Sequence, residues 1–224
     1  MMQRITPIVL NLLIINVLVF LSQAIFSNGA SSDSISDLFA LHHYKSQYFK
    51  PHQLVTYMFL HGGFFHLFFN MLALWMFGST LESYIGPKRF LILYFACGVF
   101  AGLTQMGSYI YDFREIDRMT LDADYLQQYQ EVLRRAATVG ASGAIMGVMA
   151  AFAYLLPNEQ LIIIPIPFPI KAKWAIGGMI LYDVFGGVSK PQGDHVAHFA
   201  HIGGALFGLV LIFLWYKSNR KTFY

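Results

Sequence analysis

The sequence predicts an all-α membrane protein in which six helices cross the bilayer as a single domain, residues 1–224. Hydrophobic residues make up 56% of the chain and charged residues only 12%, about half the charged fraction of a typical soluble domain. Apolar runs recur along the chain, and most are long enough for a helix to cross a hydrocarbon core of about 30 Å. The predicted helices are 5–26, 64–84, 88–111, 140–156, 172–188 and 194–216.

Basic residues are spread along the chain, and the formal net charge is only +3. This spread offers no basic face to a nucleic acid, so we expect no nucleic-acid partner. Positive charge in short loops marks the inner side of a membrane, whereas long loops count little. With the N-terminus inside, the outer basic residues fall mainly in one long loop, as Arg114, Arg118, Arg134 and Arg135. We therefore expect both termini to be cytoplasmic.

The connecting segments are assigned no chemistry. The first loop, 27–63, is rich in aromatic residues and is expected to lie on the outer surface in short helices. The polar loop around 111–135 has a helical pattern near its end and is predicted to be a solvated connector. Prolines at 157, 165, 167 and 169 prevent a regular helix between 157 and 171, which is predicted to be an inner loop.

Four polar side chains inside the predicted helices are the candidate functional residues, because such groups are costly in a membrane. His66 and Asn70 are spaced i, i+4 and share a face of the second helix. Ser142 lies near the start of the fourth helix and His201 lies about two turns into the sixth. Even-numbered helices enter the membrane from the same side, so all four residues should lie in its outer part.

Small residues should let the fourth and sixth helices approach closely. Gly143 and Gly147 form a small-xxx-small face on one, and Gly204 and Gly208 form such a face on the other. A close contact would bring Ser142 toward His201. The fourth helix is also short, at about 25 Å, so a recessed serine in a water-accessible cavity is expected.

These residue types are typical of acyl transfer by an activated serine. A serine needs a base, for which His201 is the candidate, and the oxyanion needs hydrogen-bond donors. The first backbone N–H groups of the fourth helix, together with His66 and Asn70, can supply them. Asp194 lies about 10 Å from His201 along the helix axis. We find no acid well placed to complete a triad, so the sequence predicts a Ser-His dyad.

Three motifs resemble those of the rhomboid intramembrane serine proteases: "HGGFFHLFFN" at 61–70, "GASG" at 140–143 and "AHIGGALFG" at 200–208. The resemblance implies a six-helix rhomboid-like bundle with Ser142 as nucleophile and His201 as base. It also implies an oxyanion hole made by His66, Asn70 and the Ser142 backbone N–H, with Gly140 among the small residues beside the nucleophile. No metal or cofactor is expected.

The same resemblance implies that the substrates are transmembrane segments of other proteins, cut near their outer ends, with the fifth helix or the loop above the site as a gate. The compact form suggests a bacterial cytoplasmic membrane. The sequence does not indicate the physiological substrate, the cleavage-site preference or the oligomeric state.

Two positions depart from the family pattern. Met146 stands where the family often has an aromatic residue stacked on the histidine, and a thioether can also pack on an imidazole. The Trp-Arg pair common in the first outer loop falls, by spacing, at His52-Gln53, which puts that lipid anchor in doubt.

Two alternative functions stay open at this point. One is a catalytically inert relative that binds membrane-protein clients, although such relatives typically lose the serine or the histidine. The other is a haem between His66 and His201, or a metal bound with His61. It would leave Ser142 unexplained. His61, His195 and His198 are interpreted as rim residues near the outer water.

Overall fold

Helices make up most of the described chain. The computed structural model describes residues 4–26, 35–114, 116, 123–162, 167–189 and 196–218. Its first helices are α1 (Pro7–Phe26), α2 (Ile35–Phe39), α3 (Gln53–Thr56), α4 (Phe64–Ala73), α5 (Ser79–Ile85) and α6 (Pro87–Phe113). The helices that follow are α7 (Ala123–Arg135), α8 (Ser142–Leu155), α9 (Ala172–Ser189) and α10 (His198–Ser218). A wider helical turn, Leu74–Gly78, joins α4 to α5.

Apolar helices form the body of the molecule and confirm the predicted membrane bundle. Four stretches of the described chain are long and apolar enough to cross a membrane: Pro7–Phe26, Phe64–Ile85, Pro87–Phe113 and His198–Lys217. The remaining two apolar helices are α8, which has 14 residues, and α9, which has 18 residues and carries Lys173 and Asp183.

Helix α8 lies at the centre of the bundle, with α6 and α10 packed against it. Every residue from Gly143 to Phe152 is buried. A methyl group added at Gly204 would overlap the carbonyl oxygen of Gly143, and one added at Gly147 would lie 2.8 Å from the carbonyl oxygen of Gly204. Glycine is therefore required for the backbones of α8 and α10 to touch. Gly208 makes a similar approach to Gly147.

The loop between α1 and α4 is folded around the side chain of Gln53, which is fully buried. Its amide nitrogen donates to the carbonyl oxygens of Asp37, Leu38 and Tyr48. Its amide oxygen accepts from the backbone N–H groups of His42 and Lys50. Gln53 therefore holds the loop together from inside, and His52 beside it is exposed. These are the two positions where, by spacing, the resemblance stated above would place a Trp-Arg pair.

Helix α7 is packed on the first loop, which corrects the prediction of a solvated connector. Arg134 donates to both carboxylate oxygens of Asp37 at 2.9 Å, and Leu133 is fully buried. Thr138 pairs with Leu41 through reciprocal backbone hydrogen bonds of 2.9 Å. The cause is the amphipathic pattern of α7, whose apolar face has the loop to cover it.

The predicted inner loop contains a short antiparallel pair, β1 (Gln160–Leu161) and β2 (Ile170–Lys171). Residues 163–166 between the two strands lie outside the described residues. In the described part of this segment no helix precedes α9, as the prolines predict.

Candidate active site

Ser142 is the first residue of α8, two positions later than the predicted helix start. The turn before it depends on Gly140, whose φ of +125° is reached readily by glycine alone. The Gly140 N–H donates to the carbonyl oxygen of Tyr57 at 2.9 Å, which ties this turn to the loop between α1 and α4. The side chain of Ser142 is thereby placed at the helix start and is half-buried.

His201 lies one turn into α10 and its ring faces Ser142. Its Nε2 is 2.8 Å from the Ser142 hydroxyl oxygen, within the range of a short O–H to nitrogen hydrogen bond. The His201 side chain is 17% exposed, so the pair is shielded but not sealed. Residues 59 positions apart in the chain meet because the glycine faces of α8 and α10 are in contact.

His66 extends from α4 to the same place. Its Nδ1 accepts a hydrogen bond of 3.3 Å from the Gly62 N–H, so the proton of the neutral ring resides on Nε2. That Nε2 lies against Gly140, where an added methyl group would come within 2.8 Å of it. The His66 ring therefore offers an N–H donor next to Ser142.

Asn70 is buried one turn after His66 on α4. Its side-chain nitrogen donates to the His66 carbonyl oxygen at 2.9 Å. This bond uses one hydrogen of the amide group and leaves the second for another acceptor. The structure thus places Asn70 on the His66 face of α4, as the i, i+4 spacing requires.

Backbone amides at the start of α8 add further donors. The first intrahelical bond here runs from the Ile145 N–H to the Ala141 carbonyl oxygen. Helix geometry leaves the N–H groups of Ser142, Gly143 and Ala144 without an intrahelical acceptor, and the helix dipole favours negative charge at this end.

His61 packs beside the site and is not a rim residue, because it is only 3% exposed. Its ring centroid lies 5.1 Å from that of His66, edge to face. Burial lowers the pKa of His61 to about 4, and the neighbouring His66 ring adds to this effect. His61 is therefore neutral at pH 7.

The structure corrects the prediction that no acid accompanies His201. Asp183 of α9 is buried, and its Oδ1 is 2.9 Å from His201 Nδ1. Asp194, the acid nearest to His201 in the predicted sixth helix, lies outside the described residues, and the sequence prediction did not include Asp183. A usable signal was present: Asp183 is an ionisable residue near the end of the fifth predicted helix, and an odd-numbered helix ends on the side where even-numbered helices begin.

His198 is also buried, at 5% exposure, which corrects its interpretation as a rim residue. Its Nδ1 lies 2.7 Å from the same Asp183 oxygen. Gly186 makes room for this ring, since a methyl group there would lie 2.5 Å from His198 Nε2. His195 lies outside the described residues.

The described geometry gives little support to the haem and metal alternatives. Within the described ranges, no group of three or more His, Cys, Asp or Glu side chains is placed to hold a metal ion. Both ring nitrogens of His201 are engaged, by Ser142 and Asp183, and His66 Nδ1 is engaged by Gly62. A haem iron would have to displace one of these hydrogen bonds.

Comparison with known proteins identifies the family. A Rhomboid domain model matches residues 48–218, well over half of the chain. The chain belongs to the rhomboid family. Its rhomboid relatives include Rhomboid protein 1, mitochondrial, of Saccharomyces cerevisiae, at 29% identity over 164 residues. Another is Presenilin-associated rhomboid-like protein, mitochondrial, of Homo sapiens, at 31% identity over 161 residues.

These alignments cover 72% and 71% of this chain but only 40% and 35% of the two relatives. The aligned part of the chain therefore spans less than half the length of either relative. The rhomboid match includes α4, α8, α9 and α10, which carry every side chain of the candidate site.

Proposed function

We propose that this rhomboid protein is an intramembrane serine endopeptidase that uses Ser142 as nucleophile and His201 as general base. The observation that carries the proposal is the 2.8 Å separation of the Ser142 hydroxyl oxygen and His201 Nε2. A serine hydroxyl is a weak nucleophile until a base within hydrogen-bond reach takes its proton.

In the proposed acylation step, the Ser142 oxygen attacks the scissile carbonyl carbon while His201 Nε2 takes the hydroxyl proton. The tetrahedral intermediate then collapses, the C–N bond breaks, and His201 returns the proton to the leaving amine. Water enters, loses a proton to His201 and attacks the acyl-enzyme. The acid product leaves and the serine recovers its proton.

The negative oxygen of the tetrahedral intermediate requires donors aimed at it before the reaction begins. The His66 Nε2–H, the second hydrogen of the Asn70 amide and the Ser142 backbone N–H are the proposed oxyanion hole. Their support is the His66 tautomer fixed by Gly62 and the position of Ser142 at the helix start.

The proposed substrates are transmembrane segments of other proteins, entering from the bilayer beside α9 and cut near their outer ends. Family membership and the location of the site at the start of α4, α8 and α10 support this proposal. Inward-facing termini and a bacterial cytoplasmic membrane stay predictions, and the two mitochondrial relatives lend the latter no support.

The test is covalent labelling by a fluorophosphonate probe in detergent. Wild-type protein should be labelled, whereas Ser142→Ala and His201→Ala should not. The matched controls are Ser22→Ala, whose hydroxyl bonds its own helix at Leu18, and the exposed His52→Ala; both should label as wild type does. Labelling that persists in Ser142→Ala would contradict the mechanism.

Turnover of a cleavable transmembrane segment in the same detergent separates a protease from an inert client-binding relative. Asn70→Ala should cleave slowly, because loss of one oxyanion donor costs about 3 kcal/mol, a decrease in kcat of roughly 10²-fold. A folded wild-type protein that is neither labelled nor active would favour the inert relative.

A further inference from the structure

We propose that Asp183 is a positioning residue that completes a Ser142–His201–Asp183 relay by holding the His201 ring in the base-competent tautomer. This inference rests on the proposed protease function and goes beyond the Ser-His dyad predicted from the sequence. Asp183 does not face the reacting atoms; it acts through His201.

Asp183, His201 and Ser142 are linked by two consecutive hydrogen bonds. Asp183 Oδ1 lies 2.9 Å from His201 Nδ1, and His201 Nε2 lies 2.8 Å from the Ser142 oxygen. Both distances are those of good hydrogen bonds. The imidazole is thus held on its two nitrogens by groups from two different helices, α9 and α8.

The carboxylate decides which nitrogen carries the proton. An ionised carboxylate can only accept hydrogen bonds, so the neutral His201 ring must be protonated on Nδ1. Its Nε2 then has a lone pair and accepts the Ser142 hydroxyl proton. Without the carboxylate, the ring is free to protonate on Nε2, where it cannot act as a base.

A second histidine anchors the carboxylate itself. His198 Nδ1 lies 2.7 Å from the same Oδ1 of Asp183. Asp183 and His198 are 4% and 5% exposed, so these bonds form away from bulk water, where an unpaired carboxylate would be costly. His198 and His201 lie on one face of α10, three residues apart.

The contact face of α9 is shaped for this arrangement. Asp183, Gly186 and Gly187 are spaced i, i+3, i+4 and turn toward α10, whereas Tyr182 and Phe185 are exposed. Gly186 and Gly187 admit the ring of His198 and its neighbour Phe199. The face of α9 toward α10 therefore has one carboxylate, followed by two glycines that leave room for side chains of α10.

The competing explanation is that Asp183 only ties α9 to α10. Thermal stability, kcat and KM together distinguish this explanation from the relay. Loss of a tie should lower the thermal stability and affect substrate binding and chemistry together. Loss of the Nδ1-protonated tautomer of His201 should lower kcat and leave KM unchanged, because the hydrogen bond to Asp183 matters in the transition state.

The experiment compares wild type, Asp183→Asn, Gly187→Ala and Ser142→Ala in one detergent. Gly187→Ala is the matched control, because its methyl group would lie 3.3 Å from His198 Cβ and disturb the same interface with the carboxylate intact. We measure kcat and KM for a transmembrane substrate, the rate of fluorophosphonate labelling, and thermal unfolding.

Asp183→Asn should lower kcat by roughly 10²- to 10⁴-fold with KM unchanged, and slow labelling in parallel. Gly187→Ala should lower the unfolding temperature and change kcat and KM together, with a loss of kcat far smaller than that in Asp183→Asn. Equal kcat in Asp183→Asn and wild type, or equal losses in the two variants, would overturn the relay alone. An inactive, unlabelled wild type would overturn the protease proposal as well.

If Asp183→Asn does not fold, the tautomer can be read in wild type by nuclear magnetic resonance of ¹⁵N-labelled histidine. The His201 signals are identified by the shift that Ser142→Ala produces in the ring bonded to that serine. A proton on His201 Nδ1 supports the relay. A neutral ring protonated on Nε2 overturns it.

Discussion

At the residue scale, the site depends on one backbone conformation as much as on its polar groups. Gly140 has a φ of +125° and lies against the His66 ring, two residues before Ser142. A side chain here is strained by the backbone and collides with the ring. The glycine of "GASG" is therefore required by the geometry that brings α4 and α8 together.

Gly140→Ala should abolish or strongly reduce labelling of Ser142 while the protein still folds. The strain of a non-glycine residue at positive φ costs about 1–3 kcal/mol, and the methyl group, 2.8 Å from His66 Nε2, must displace that ring. The control is Gly107→Ala, where an added methyl group meets nothing within 4 Å. Wild-type labelling by Gly140→Ala would refute this account of the turn.

Protonation of His61 should destabilise the protein at acidic pH. Burial lowers its pKa from about 6.5 to about 4, so between these values the unfolded chain binds a proton that the folded chain refuses. Stability is therefore complete above pH 6.5 and falls by up to about 3 kcal/mol toward pH 4. Thermal unfolding from pH 7 to 4.5 should show a smaller decrease in His61→Gln than in wild type, with the exposed His52→Gln as control. Identical slopes in all three proteins would exclude His61 as the cause.

At the element scale, α7 packs on the loop between α1 and α4. Its Arg134 makes a two-bond contact with Asp37, whose side chain is 6% exposed, and this neighbour raises the pKa of the Arg134 guanidinium above its usual value. Gln130 adds bonds to the backbone of Lys45 and Gln47. These contacts join the loop after α1 to the segment before α8, and thus to the turn at Gly140.

Arg134→Met should weaken the packing of α7 on this loop and leave the candidate active site in place. Asp37 would lose its charged partner, so amide hydrogen exchange in α7 and in the loop around Gln53 should accelerate by roughly tenfold. Arg135→Met is the matched control, because Arg135 is 79% exposed and pairs along its own helix with Glu131. Exchange rates that match those of the control would show that the Asp37 pair does not hold α7.

At the scale of the whole molecule, close contact between α8 and α10 is the condition for the site. Helix α8 is short and buried, so it carries Ser142 inside the bundle rather than at its surface. The glycines at 143, 147, 204 and 208 remove the side chains that would otherwise separate the two backbones. In a membrane such packing replaces the hydrophobic effect as the force between helices.

Gly204→Ala should therefore separate the helices or unfold the bundle. Its methyl group would overlap the Gly143 carbonyl oxygen, and backbone cannot move aside cheaply, so we expect a loss of about 3 kcal/mol or more. Thermal unfolding and labelling should both decrease. Gly178→Ala on α9, where a methyl group meets nothing within 4 Å, should behave as wild type. A stable and fully labelled Gly204→Ala would contradict the contact.

The membrane class, the helical bundle and the family follow from the amino-acid sequence alone, because apolar length, helix spacing and three local motifs are properties of consecutive residues. The sequence also singled out Ser142, His201, His66 and Asn70, since polar groups stand out in apolar helices. Helix parity was enough to place them at one end of the bundle.

The contacts between segments far apart in the chain become visible only in the tertiary structure. Asp183 meets His201 because α9 packs on α10 through Gly186 and Gly187, and His198 is buried by the same contact. Gln53 and Arg134 hold the loop between α1 and α4 in place through hydrogen bonds to residues that no local sequence pattern predicts. Such pairings depend on which helix faces turn toward each other, and that is settled by packing the whole bundle at once.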